Sequence, residues 1–198
     1  VQHTASRARV GYCVAMAAHP TAAVAPLQLI NLQGTTLSEP ALTELCHALR
    51  ERGAAGPTEV NLEGCVRQRA AGALPALWQY LSAPTCVLAT LNLGYNALTS
   101  GIELGRALAA NAANGGLLIE LDIGSNELGG DAAEGGLCAL CKPLSPPTPQ
   151  GGAPLAAAAL APSQQALGCR VRTLDLSYMP IGIKGAAALA AMLLGHQC

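Results

Sequence analysis

The 198-residue sequence contains no phenylalanine and one tryptophan, and aromatic residues make up just 3% of it. Charged residues are also scarce, at 12%, and the formal net charge is −1. A chain without a basic excess has little attraction for nucleic acid or for an anionic membrane surface, so we expect neither partner. Apolar residues still reach 51%. Ala, Leu and Gly must therefore supply the core, which suits thin, closely stacked layers.

The sequence also lacks the short motifs of several enzyme classes. It contains no P-loop, no GxSxG, no HExxH and no GxGxxG sequence. These absences remove the common sequence signatures of phosphate-binding loops, serine hydrolases, zinc proteases and dinucleotide-binding folds. We therefore expect a protein that is not an enzyme and needs no cofactor.

One phrase, L-x-x-L-x-L-x-x-N-x-L with Ile or Val allowed at the leucines, occurs five times. Two copies match it in full and begin at Leu88 and Leu118, while three looser copies begin at Leu27, Pro57 and Val171. The first four copies are each about 30 residues apart, and a fixed period of this size predicts a solenoid. The longer last step holds an insertion, which Pro and Gly clusters place at 143–168.

Each copy of the phrase alternates apolar and other residues, which predicts a short, half-buried strand. Helix-like stretches follow at 41–50, 70–81, 100–110 and 185–194. One strand and one helix per repeat predict a parallel sheet with helices along one side. Strands lie about 4.8 Å apart, but packed helices need roughly 8–10 Å. We therefore predict an α/β solenoid bent into a horseshoe arc, with parallel strands on the concave face and helices on the convex face.

The ninth position of the phrase is Asn in the two full copies, at Asn96 and Asn126. An Asn amide carries two donors and an acceptor, so we predict that both side chains bridge backbone groups buried between repeats. Thr35 and Cys65 are weaker substitutes at this position, and Met179 cannot form such a bridge.

This phrase, together with the helical pattern G-x-x-G-A-x-x-L-A-x-x-L at 182–193, resembles the leucine-rich-repeat family. The repeat length and the helical second half resemble its ribonuclease-inhibitor-like subclass. The resemblance covers residues 27–198 and implies five repeats, with the insertion in the fourth. It implies a horseshoe that binds proteins and seldom catalyses a reaction.

The parts of the chain outside the regular repeats have simpler interpretations. Residues 1–26 are predicted to be an N-terminal cap or a partial preceding repeat, and the insertion is either a mobile loop or a segment that docks onto a neighbour. The apolar stretch at 10–18 is too short to span a bilayer, and we find no signal peptide. Because the chain begins with Val1 and stops directly after a helix, we expect a processed chain or a fragment.

The strand phase predicts which side chains line the concave face. Five of them are acidic and none is basic, so this face should be negative although the whole chain is near neutral. Tyr95 and Tyr178 follow at its rim, and Tyr is enriched at interface hot spots. We predict a groove for a basic segment of a protein partner, and the alternative is an ordinary solvated sheet face. The predicted partner-binding residues are Glu59, Asn61, Glu63, Thr90, Asn92, Tyr95, Glu120, Asp122, Thr173, Asp175 and Tyr178.

Eight cysteines are present, and Cys138 and Cys141 form a C-x-x-C pair. A zinc site needs two further ligands, and the four histidines lie on other elements. We therefore interpret this pair as packed helix cysteines, with a zinc or redox site as the alternative. No Asn begins a glycosylation sequon, which together with the repeat core favours reduced thiols and the cytoplasm over secretion.

Other conspicuous side chains have structural interpretations. Arg50 and Arg52 end one predicted helix, where basic residues complement the helix dipole. Arg67 and Arg69 are less easily explained in this way and could meet an acidic neighbour. Trp78 is interpreted as filling a gap beside the helix of the second repeat.

Two functional hypotheses follow from the resemblance. The first is a scaffold that holds protein partners, as a structural subunit of a larger assembly. Ribonuclease-inhibitor-like repeats of this sort resemble those of ciliary and other cytoskeletal complexes. The second is a regulator of an enzyme, either a nuclease inhibitor or a stimulator of a small GTPase. An innate-immune sensor would need a nucleotide-binding domain, and these residues show none.

Overall fold

The computed structural model describes residues 27–66, 74–128, 136–144 and 170–195. The predicted cap at 1–26, nearly all of the predicted insertion at 143–168, and the first part of the predicted helix at 70–81 lie outside the described residues. Arg67 and Arg69 lie outside them as well.

Five short parallel strands form one sheet, and their order in the sheet is their order along the chain. The middle residues pair from strand to strand as Ile30, Val60, Leu91, Leu121 and Leu174. The prediction of an α/β fold with a parallel sheet is therefore confirmed. The strands are β1 (Leu29–Asn31), β2 (Glu59–Asn61), β3 (Thr90–Asn92), β4 (Glu120–Asp122) and β5 (Thr173–Asp175).

A helix follows each strand, and each helix contacts the next helix along the chain. The first helix begins two residues before the predicted stretch, because Ser38 caps it by accepting a hydrogen bond from the N–H of Ala41. Its last turn carries Arg50 and Arg52, as the dipole argument predicts. The helices are α1 (Glu39–Arg52), α2 (Pro75–Leu81), α3 (Ile102–Ala113), α4 (Leu137–Leu144) and α5 (Ile183–Gly195).

The core lies between the sheet and the helices. The middle residues of the first four strands are buried there together with helix leucines such as Leu49, Leu81 and Leu108. Each such leucine contributes roughly 1.5–3 kcal/mol by leaving water. Trp78, on α2, is buried in the same cluster, which confirms its packing interpretation. A core of leucines in one layer explains how the chain folds without phenylalanine.

The ninth-position asparagines bridge neighbouring repeats as predicted. Asn126 accepts hydrogen bonds from the N–H groups of Asn96 and Leu98, and its amide donates to the carbonyls of Leu93 and Ile123. Asn96 likewise donates to carbonyls of its own and of the preceding repeat. In the earlier repeats, Cys65 donates to the carbonyl of Leu32 through its thiol. These side chains connect the turns of successive repeats by hydrogen bonds.

Candidate functional site on the open face of the sheet

The predicted binding residues lie on one face of the sheet, here called the open face. Side chains alternate along a strand, so the residues that flank each buried middle residue point away from the helices. Glu59, Glu120, Thr173 and Asp175 are exposed there, and the other predicted strand residues, Asn61, Thr90, Asn92 and Asp122, are half-buried. The structure therefore brings the predicted residues together on one surface, from β2 to β5. The open-face positions are 29, 31, 33, 59, 61, 63, 90, 92, 94, 120, 122, 124, 173, 175 and 177.

The open face is acidic. Glu59, Glu63, Glu120, Asp122 and Asp175 lie on it, and no Lys or Arg occupies an open-face position. Between described residues the structure places one ion pair, which joins Arg106 and Glu103 on α3. Within the described part of the chain, the five carboxylates therefore have no basic partner. A row of unpaired carboxylates produces a negative potential that attracts a basic ligand.

A second role of the strand-end residues was not predicted. Asn31, Asn61, Asn92, Asp122 and Asp175 end the five strands, and in each the side-chain Oδ1 accepts the backbone N–H two residues later, at 2.7–3.0 Å. These Asx turns redirect the chain after every strand. The signal was present in the sequence as Asn or Asp at the same place in all five copies. Asn61, Asn92, Asp122 and Asp175 therefore support the turns whether or not they also contact a partner.

Asp122 is a half-buried carboxylate of the open face. Neighbouring positions 94 and 124 are glycine, and a Cβ added at either would lie 3.0–3.5 Å from the Asn92 and Asp122 side-chain oxygens or from the Ser177 backbone. Burial raises the pKa of the Asp122 carboxyl, and the charges of Asp175 and Glu63 raise it further against the lowering effect of the Gly124 N–H. The ionised form of Asp122 therefore lowers the free energy of unfolding.

Asp122→Asn is expected to increase the free energy of unfolding at about pH 7, because the amide oxygen still accepts from Gly124 while the charge is removed. The folded protein binds the Asp122 proton more tightly than the unfolded chain does, so this gain should disappear below the unfolded pKa of about 3.9. Urea unfolding followed by circular dichroism at several pH values measures it.

Asp175→Asn is the matched control, and its expected effect on the free energy of unfolding has the opposite sign. Hydrogen bonds from Ser177 lower the pKa of Asp175, so its ionised form stabilises the fold above the unfolded pKa, and this stabilisation is lost as the pH falls. The neutral variant should be less stable than the wild type at neutral pH. If both substitutions change the free energy of unfolding equally, the opposite pKa shifts of Asp122 and Asp175 are contradicted.

Two tyrosines at the rim of the open face have left-handed backbone conformations. Tyr95 has φ of 60° and Tyr178 has φ of 57°, a region that is uncommon for bulky residues and costs about 1 kcal/mol or more. Gly34 and Gly64 hold the equivalent place in the first two repeats with φ of 69° and 65°. The side chains are 49% and 93% exposed. Ser125 holds the same place in the fourth repeat with φ of 53°, so the left-handed conformation belongs to the turn in every repeat, and the two rings are exposed from it at the rim of the open face.

The C-x-x-C pair does not show the features of a reactive site. Cys141 is buried, and burial raises its pKa to about 11, which keeps the thiol protonated. The thiol of Cys138 donates to the carbonyl of Lys184. Cys46, Cys65, Cys86 and Cys138 are free thiols. Within the described part of the chain, no three His, Cys, Asp or Glu side chains gather as a metal site would require.

A groove on the helix side is a second candidate surface. It has a volume of about 900 Å³ and is lined by Arg50, Trp78, Glu103 and Arg106, among others. The indole N–H of Trp78 is buried and has no hydrogen-bond partner among the described residues. The groove is shallow and its charges are mixed, so the open face remains the stronger candidate site.

Comparisons with protein-family models, with curated proteins and with solved structures found no match to this chain. Among the helices that the structure describes, none combines the length and the apolar character that crossing a bilayer requires.

Proposed function

We propose that this chain is a leucine-rich-repeat solenoid of the ribonuclease-inhibitor-like kind, and that it serves as a non-enzymatic scaffold for protein partners. The observation that carries the function is the open face, where five carboxylates of the β2, β4 and β5 repeats have no basic partner among the described residues and two exposed tyrosines lie at the rim. The preferred ligand is a basic segment of another protein. We place it in the cytoplasm, as a structural subunit of a large assembly of the ciliary or cytoskeletal type.

Three features support the solenoid. The strands follow chain order in one parallel sheet, successive helices pack on each other, and Asn96 and Asn126 repeat the same bridge one turn apart. Each repeat contacts only its neighbours among the described elements, as in quasi-one-dimensional folds. Strands are more closely spaced than helices, so such a stack bends with the open face on its concave side.

The physics of the open face favours a basic partner over a neutral one. Unpaired carboxylates steer a cationic segment to the sheet and fix its orientation. Exposed tyrosines then supply contact area at a low cost in conformational entropy. Because surface charges are screened beyond about 8 Å at physiological salt, the partner affinity should fall as the salt concentration rises.

The second candidate function is regulation of an enzyme, and the same acidic face supports it. A basic nuclease would fit this face as an inhibited partner. Stimulation of a GTPase would require a group that reaches the nucleotide, and no residue of the open face is an obvious candidate for that role.

The test compares captures from native lysate by the wild type and by the variant Glu59→Lys/Glu120→Lys, with mass spectrometry of the bound proteins. Both residues are exposed, and neither forms an Asx turn, so folding should be retained. Partners of the open face should bind the variant at least about tenfold more weakly, because two attractions become repulsions. Recovery of one stoichiometric assembly favours the scaffold, and recovery of one enzyme with altered activity favours the regulator.

The matched control is Glu44→Lys/Glu51→Lys, which makes the same charge change on exposed positions of α1. It should capture the same proteins as the wild type. If both variants lose the same partners, net charge and not the open face determines binding. If neither variant loses any, the proposal is wrong.

A further inference from the structure

The groove on the helix side lies between α2 and α3, which pack side by side. Its lining residues fall at 50, 75–84 and 103–110, all within the described ranges. On each of the two helices the lining positions are spaced i, i+3, i+4 and i+7, beginning at Pro75 on α2 and at Glu103 on α3. The groove is therefore a valley that follows one face of each helix for about two turns.

The polar groups of the groove are unequally satisfied. Its carbonyl acceptors at the end of α2 are occupied, because the Ser82 hydroxyl donates to the Trp78 carbonyl at 2.8 Å and Asn114 Nδ2 donates to the Ser82 carbonyl at 2.8 Å. The indole N–H of Trp78, a residue only 7% exposed, has no acceptor among the described residues. A buried donor without an acceptor costs free energy, so the groove favours a ligand that supplies acceptors.

The charges of the groove favour an acidic ligand. Three charged residues line it, and two of them, Glu103 and Arg106, form an ion pair with each other. Arg50 is exposed in the last turn of α1 and forms no ion pair with a described residue. The guanidinium of Arg50 is therefore available for a carboxylate of the ligand.

The rest of the lining is largely apolar, and its shape suits a helix. Ala107 and Ala110 are small, so the α3 wall leaves room for larger apolar side chains of a ligand. A helix brings its own backbone hydrogen bonds, whereas an extended segment would need backbone partners that two helices do not offer. Small molecules favour sites that enclose most of their surface, and this groove is shallow.

We propose that an acidic amphipathic helix of a protein partner binds in this groove, with its apolar side chains between α2 and α3 and a carboxylate on Arg50. The apolar anchors of such a helix follow the spacing i, i+3, i+4 and i+7, which is also the spacing of the lining positions. This surface lies on the helix side and takes a ligand of the opposite charge, so it is distinct from the open face. The proposal does not depend on the partner-binding role of that face.

Selection from a displayed library of helical peptides tests the proposal. The peptides are about 14 residues long, or roughly four helical turns, contain no tryptophan, and are varied along one face. Those that the purified chain retains should carry apolar residues at the spacing above with Asp or Glu beside them, and should bind with a Kd below about 100 µM. Trp78 is the one tryptophan of the chain, so binding in the groove should also shift its fluorescence emission.

The variant Arg50→Glu/Ala110→Glu should bind the selected peptides at least about tenfold more weakly, because it places two carboxylates where the ligand carries its own. Neither side chain is fully buried, so the fold should be retained. The matched control is Arg52→Glu/Ala109→Glu, which makes the same charge change on α1 and α3 at positions that do not line the groove. It should bind the peptides like the wild type.

Four results would overturn the proposal. The first two are a library that yields no peptide, which would mean that an acidic helix is not the occupant, and a library that yields only basic ones. The third is equal binding to both variants, or binding without a change in Trp78 emission. The fourth is a dimer of the purified chain in sedimentation velocity that Arg50→Glu/Ala110→Glu abolishes, which would make a second copy the occupant.

Discussion

Asn126→Ala is expected to lower the free energy of unfolding by about 3–5 kcal/mol, since it removes a buried group that completes several hydrogen bonds at once. Its Oδ1 accepts from Asn96 and Leu98, and its Nδ2 lies 2.8–3.2 Å from the carbonyls of Leu93, Ile123 and Gly124. Alanine leaves these groups buried without partners. Because domains are stable by only about 5–15 kcal/mol, this loss is severe. Urea unfolding followed by circular dichroism measures it.

Asn114→Ala is the control for this prediction. Asn114 is exposed and donates one hydrogen bond, to the carbonyl of Ser82 at 2.8 Å, so its loss should cost about 1 kcal/mol or less. A similar cost for both variants would mean that the Asn126 bridge does not hold the repeats together.

Gly105→Ala is expected to destabilise the protein by about 1–3 kcal/mol, although helix propensity alone predicts a gain of about 1 kcal/mol. Gly105 is buried in α3 where that helix meets α4. A Cβ on Gly105 would lie 2.6 Å from the carbonyl oxygen of Ala139. That oxygen belongs to a helix backbone, so relief requires the two helices to separate. Thermal and urea unfolding of the variant measure the change.

Gly185→Ala is the matched control in α5. There the nearest atom to an added Cβ is a side-chain methyl of Ile181 at 3.3 Å, and Ile181 is 41% exposed and can move. This variant should gain up to about 1 kcal/mol from helix propensity. Opposite signs for the two glycines would show that contact between helices decides the effect. A gain for both would contradict the close approach of α3 and α4.

The side-chain contacts decide which open-face residues are suitable probes of binding. The strand-end Asn and Asp residues hold the Asx turns, so reversing the charge of Asp122 would disturb the backbone as well as the surface. Glu59 and Glu120 are free of that role, and they are the better probes of binding. Asp122→Asn separates charge from turn geometry, because Asn is what the first three strands carry at this place.

The sequence by itself determined the α/β class and the parallel sheet. It also determined which strand side chains lie on the open face and that Asn96 and Asn126 bridge neighbouring repeats. These features follow from periods of two and of about 30 residues, which local spacing encodes directly. Where both the prediction and the structure define a helix end, the two agree at Leu81 and differ by one to three residues elsewhere. At α1, the shift reflects the cap at Ser38.

Only the tertiary structure decided the close approach at Gly105, the enclosure of Asp122, the left-handed tyrosines and the groove between α2 and α3. Gly105 meets Ala139, and Asp122 interacts with Glu63 and Asp175. These contacts join residues that lie far apart in the chain. The sequence pattern of one repeat does not predict how closely the next repeat packs against it. The groove depends in the same way on how closely α2 and α3 pack, which no local sequence pattern records.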